Sequence, residues 1–240
     1  MKRTLTILTA LFICCSTHNP PQKYGGNLRM VLPGGIETLN PPQVLFLSDW
    51  QALTLVYEGL IGYKTNSVDT KPLLAESYQM MDNGRRCRFT LRAGVRFQDS
   101  PCFPSGAGRE MTADDVLFTF ENMARQWKQV PYYPLFGERI VGLDDLAKGH
   151  ADSISGIVVI DAWRIDFYLT KSYSTFIKMM ASPAAMIIPK EAVEYYGNHF
   201  GTNPVGTGPF KLARWRPFTS LEFVRNDHYW QHERGDTLPY

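Results

Sequence analysis

The chain lacks the marks of the common hydrolases: its 240 residues contain no Gly-x-Ser-x-Gly elbow, no His-Glu-x-x-His and no Cys-x-x-Cys. Hydrolysis needs a nucleophile beside an oriented base, or paired carboxylates in a cleft, and neither pattern is present, so the residues give no argument for an enzyme. Histidine is sparse, five in all and scattered. His228 and His232 stand four apart near Glu233, but two histidines in a terminal segment fall short of a metal-ligand set, so no metal and no cofactor are expected. The run Gly206, Thr207, Gly208 lacks the lysine and the following helix that a phosphate loop requires. An excess of either charge is also missing: 25 basic against 23 acidic side chains leave +2, too even a balance for nucleic acid as partner. Past the N-terminus no segment reaches the roughly 20 apolar residues needed to span a bilayer. Internal repeats are absent.

Cysteine is scarce at four residues, and its placement carries information. Lys2 and Arg3 precede the apolar run LTILTALFICC, a cationic start and short hydrophobic core of the secretory type. Residues 1–14 are expected to be a removed signal peptide. Cys15 is expected to be the mature first residue, carrying a lipid, with residues 15–24 as a tether. Cys87 and Cys102 remain, an even pair in an oxidising compartment. They either form a disulfide between a strand and a loop or stay as two thiols, Cys87 facing the core.

What is present is a core-forming composition, 44% hydrophobic and 13% aromatic, enough for one large domain or two lobes. The richest pattern runs from Cys87 to Trp127. Cys87, Phe89, Leu91, Val95 and Phe97 alternate with Arg86, Arg88, Arg92 and Arg96, the period of a half-buried strand whose arginine face is solvated. Pro101, Pro104, Gly106 and Gly108 then interrupt regular structure. Thr112 and Asp115 have capping-box spacing for a helix whose Val116, Phe120, Met123 and Ala124 form one apolar face, packing onto the Phe89 side.

Elsewhere, alternation from Asn27 to Leu32 predicts a first strand, and Asp49 is placed to cap a helix running through Val56 to Leu60. Tyr132 and Tyr133 lie between Pro131 and Pro134 in a stiff loop, suited either to a ligand or to covering an apolar edge. Hairpins are predicted at 157–169 and 210–225, and helices at 174–180 and 189–196, the second ended by Gly197.

Taken in order, GGNL from Gly25, TLNP from Thr38, VYEGL from Val56, LAES from Leu74, FTLRAGVRF from Phe89, TADDVLF from Thr112, GTGPF from Gly206 and the Tyr-Trp pair at Tyr229 resemble the family 5 extracellular solute-binding proteins of ABC importers. The resemblance implies an α/β, type II periplasmic-binding-protein-like fold with an extra small domain, of which this chain is the N-terminal portion. It implies a discontinuous first lobe at 25–59 and 149–240, an inserted small domain at 60–148, and a second lobe beyond the chain. It implies a non-enzymatic, lipid-anchored receptor at the periplasmic or extracellular face of the envelope, with peptides as ligand and permease subunits as partners. Ligand contacts are implied at Leu45, Phe46 and Leu47, after the turn, and at Tyr132. Other readings are a receptor for nickel or another small solute, a secreted hydrolase, or a structural envelope lipoprotein.

Overall fold

A computed structural model describes residues 28–32, 34–217 and 219–233. The expected signal peptide, Cys15 and the tether lie outside the described residues. The chain divides into two units after Leu32. In the first, residues 28–32 carry no strand, which corrects the expectation drawn from their alternation. Leu28 and Met30 are both exposed, so the alternation serves no buried face.

The second unit contains, in order, α1 (Leu47–Leu53), β1 (Ile61–Tyr63), β2 (Thr70–Pro72), β3 (Ala75–Met81), β4 (Arg86–Leu91), α2 (Ala113–Arg125), α3 (Leu143–Ala147), β5 (Ile157–Asp161), β6 (Arg164–Tyr168), α4 (Phe176–Met179), α5 (Lys190–Tyr196), β7 (Phe210–Arg216), β8 (Ser220–Arg225) and α6 (Trp230–Glu233). A four-stranded antiparallel sheet has the order β3-β4-β6-β5, while β1-β2 and β7-β8 form separate pairs. Because β4 pairs with β6, residues on both sides of the expected boundary at 148/149 share one sheet.

The sheet follows from the alternation. Cys87, Phe89 and Leu91 are buried while Arg86, Arg88 and Thr90 are only partly so. Phe89 lies opposite Tyr78 on β3 and Ile165 on β6, and Cys87 opposite Met80 and Phe167. Over this face α2 lays Phe120, whose ring meets Phe167 at 5.1 Å and Phe136 at 5.4 Å in edge-on contacts, with Phe89 5.6 Å from Phe167. Such pairs add about 1 kcal/mol each beyond the area they bury.

The helix begins as its sequence requires. Thr112 and Asp115 form a reciprocal capping box, the Thr112 N–H donating to the Asp115 carboxylate at 2.9 Å. Asp115 does a second job: Arg109 grips it with two bonds of 2.8 and 2.6 Å and grips Glu191 at the start of α5 with two more, of 2.5 and 2.8 Å.

The outer face of the sheet is not the plain solvated row its arginines predicted. Arg88 makes two 2.7 Å bonds to Asp166 on the neighbouring strand, and Arg86 lies 3.8 Å from the same fully buried carboxylate. Burial forces the pairing, since an ionised carboxylate out of water needs a cation and hydrogen bonds.

Cys87 and Cys102 are free thiols, so no bridge ties strand to loop. Cys87 is held mid-sheet between Met80 and Phe167, whereas Cys102 belongs to the loop where its N–H reaches the Ser100 hydroxyl. Burial, with the nearby Asp166 charge, pushes the Cys87 thiol up to about 12.

Candidate ligand-facing site

The site grows out of the turn at Thr38. Leu39 is fully buried and its N–H donates to the Gly201 carbonyl at 2.8 Å; the Asn40 N–H donates to Thr38 Oγ1 at 3.0 Å. Pro41 and Pro42 open a single 3-10 turn, Pro41–Gln43, because a fixed φ suits its first positions. Val44 is buried, and then Leu45, Phe46 and Leu47, the last already the first residue of α1, are exposed at 55, 49 and 61%. The run is therefore pinned at both ends. At its far end Ser48 and Asp49 are buried, and Asp49 accepts the Glu37 N–H at 3.0 Å; burial raises its pKa.

Asp49 is thus occupied by a distant backbone amide and lies inside the first turn of α1, not at its cap. The helix also stops at Leu53, seven residues short of the expectation. Residues 55–60 are claimed by tertiary hydrogen bonds: Leu55 and Val56 carbonyls accept Phe210 and Gly208, Glu58 accepts Ile187, and Gly59 and Leu60 accept Leu74 and Leu73. An isolated short helix cannot compete with so many long-range partners.

Tyr132 lies past α2, after Val130 and Pro131. It is half-buried, and its carbonyl accepts the Leu135 N–H at 3.0 Å. Tyr133, its neighbour, turns inward and donates its hydroxyl to Asp144 at 2.7 Å. Of the tyrosine pair, then, one is structural.

The segment leading into Leu45 is joined to the end of α2, just before the Tyr132 loop, by Gln43, whose amide donates to Gln126 Oε1 at 3.3 Å and to Gln129 Oε1 at 3.1 Å. Gln126 is itself fixed by a 2.8 Å bond to Asn122. Single-sequence reading missed this link, since no local pattern relates positions 83 and 86 residues apart. Three buried polar atoms on this side, Asn40 Oδ1, Asn122 Nδ2 and Ser182 Oγ, have no hydrogen-bond partner among the described residues, an unmet need that buried water can satisfy. They belong to the turn, to α2 and to the 3-10 turn at Pro183–Ala185, elements that pack on one another.

The GTG run has a mechanical explanation. A Cβ on Gly206 would meet the Val56 carbonyl oxygen at 2.1 Å, and one on Gly208 would lie 2.7 Å from the same peptide group. The glycines let this loop press its backbone against the VYEGL segment, where Gly208 donates to Val56 at 2.8 Å.

This combination of an antiparallel sheet covered by α2 and a pinned, outward-facing segment beside it is that of a type II periplasmic-binding-protein fold. Solved structures agree. The substrate-binding domain of an oligopeptide ABC transporter from Bacillus anthracis is similar with a TM-score of 0.73 at 21% identity, over 83% of this chain and 37% of that one. The periplasmic binding protein DppA from Helicobacter pylori, in complex with the peptide STSA, is similar with 0.68 at 24% identity, over 81% and 38%. Among curated sequences, di/tripeptide-binding protein 3 of Pseudomonas aeruginosa is 29% identical over 224 residues, 90% of this chain and 40% of its own length. Residues 69–240 match the bacterial extracellular solute-binding proteins, family 5, middle region. The chain belongs to that family, and it spans about two-fifths of the length of the curated relatives it matches.

Proposed function

We propose that the protein is the lipid-anchored binding component of an ABC importer, a non-enzymatic receptor that takes peptides and delivers them to a permease. Leu45, Phe46, Leu47 and Tyr132 form part of the ligand wall, and Cys15 carries the lipid at the outer face of the cell envelope. The observation that carries the peptide reading is the state of the Leu45 segment. Its side chains are exposed, its Phe46 backbone is extended at φ −91° and ψ 150°, and among the described residues the N–H groups of Leu45 and Phe46 have no partner. An extended ligand can pair with such a backbone as an added strand, which fixes the peptide main chain and tolerates varied side chains. The names of the similar relatives, di- and tripeptide binders, point the same way.

The test is thermal stabilisation of the full-length protein by defined di-, tri- and longer peptides. A peptide present at about 100 times its Kd raises the unfolding free energy by about 2.7 kcal/mol, easily seen as a rise in Tm. An unchanged Tm across all peptide lengths removes the peptide reading. The lipid is tested separately by palmitate labelling, expected to be lost in Cys15→Ala.

A further inference from the structure

Segments far apart in the chain meet at one carboxyl group. Glu58, from the VYEGL run, is 5% exposed. Its Oε2 accepts the Thr207 hydroxyl at 2.9 Å and the Trp230 indole N–H at 2.8 Å, and its Oε1 accepts the Tyr229 hydroxyl at 2.8 Å. The motif blocks at Val56, Gly206 and Tyr229 are therefore tied together by this one side chain. A buried carboxylate without an ion-pair partner is costly, because neutral donors replace only part of its hydration. The charged group that acts on Glu58 among the described residues is Arg92. Its guanidinium lies over the Trp230 ring, 5.4 Å from the centroid, and its Nε donates to the Leu73 carbonyl at 2.7 Å.

The surrounding elements offer little else that titrates. The Tyr57 phenol is fully buried and accepts the Val205 N–H at 3.1 Å. Gln98 brings a neutral amide, which donates to Phe210 O at 2.7 Å, and residues 186–188 are apolar and buried. Asp227 and His228 precede the Tyr229 phenol on the same turn. The indole can only donate, but the Thr207 and Tyr229 hydroxyls can each rotate and accept, so the same set of groups accommodates a neutral carboxylic acid.

We propose that Glu58 is a pH-dependent latch: protonated, it fastens residues 226–233 to the loop at 206–208, and its ionisation favours release of that segment into water. Burial raises the carboxyl from an ordinary 4.5 to about 7, against the lowering effects of Trp230, Tyr229, Thr207 and Arg92. The sign follows from linkage. The advantage of the closed latch is complete below the pKa of the hydrated carboxyl and is lost as pH rises through that of the buried one.

Hydrogen exchange of the full chain, read by mass spectrometry and corrected for intrinsic rates, tests this. In the wild type the opening equilibrium of residues 226–233 should rise on the order of 50-fold from about pH 5 to about pH 8. In Glu58→Gln, which is neutral throughout, it should be flat. A flat wild-type profile, or the same slope in both proteins, overturns the latch. Should Glu58→Gln fail to fold, the wild type carries a second readout, the Trp230 indole N–H in a protein labelled with 15N-tryptophan, assigned through the Tyr229 ring 5.8 Å away. A midpoint near neutrality supports the latch, and a resonance that does not titrate between about pH 5 and about pH 8 overturns it.

Discussion

Arg109 closes a two-bond pair with Asp115, at 2.8 and 2.6 Å, on a carboxylate that also completes the cap of α2. One aspartate therefore starts the helix and receives the arginine that ties it to α5 through Glu191. Burial and the two carboxylates act on this guanidinium in opposite senses, and the hydrogen bonds to Asp115 dominate, raising its pKa.

Replacing Arg109 by Ala leaves Asp115, 3% exposed, without its cation. Urea unfolding should show a loss of about 2 kcal/mol, less than for a fully buried pair because the Arg109 side chain is 37% exposed and water screens part of the lost charge. Arg109→Lys should recover less than half of it, because a point charge cannot reproduce the two-pronged geometry toward both carboxylates.

Phe46→Ser and Tyr132→Ala separate binding from stability. Phe46 is about half exposed and Tyr132 is only partly buried, so each substitution should move Tm by no more than about 2 °C. Each should weaken peptide binding to the full-length protein by about 10-fold, measured by calorimetry, as expected for losing one aromatic contact. Unchanged affinity in both variants would remove these positions from the ligand wall.

Two glycines make a paired comparison. Gly208→Ala should cost more than about 3 kcal/mol, since its Cβ would lie 2.7 Å from the Val56 carbonyl and would force apart the hydrogen bond between them. Gly94 has φ +81° but nothing within 4 Å of the added atom, so Gly94→Ala should cost only the left-handed backbone penalty, about 1 kcal/mol. Similar losses in both would mean that backbone conformation, not close approach, governs Gly208.

With Cys14 and Cys15 replaced by serine, a thiol reagent should label Cys102 first and Cys87 only on unfolding. Cys87 is fully buried with its thiol pushed up to about 12, while Cys102 is half-buried. One equivalent reacting in native buffer and two in denaturant is the expected count, and none in denaturant without reductant would indicate a disulfide after all.

By itself the sequence determined the elements whose signals are local. The alternation from Cys87 to Leu91, the Thr112 cap, the apolar face carrying Phe120 and the hairpins ending in β6 and β8 depend on neighbours within a turn or two, and each stands where its pattern put it, although the strand ends at Leu91 and does not run on to Val95 and Phe97 as the alternation predicted. Only the tertiary structure decided matters that rest on partners brought from a distance. It ended α1 at Leu53 because residues 55–60 bond to segments more than a hundred residues away and to Leu73 and Leu74. It turned the arginine face of β4 toward Asp166, joined the Leu45 segment to the end of α2 through Gln43, and gathered three motif blocks around Glu58. Periodicity reports which face of an element is buried, but which charge or carbonyl waits there is fixed only when burial removes water and each polar group has to find a partner.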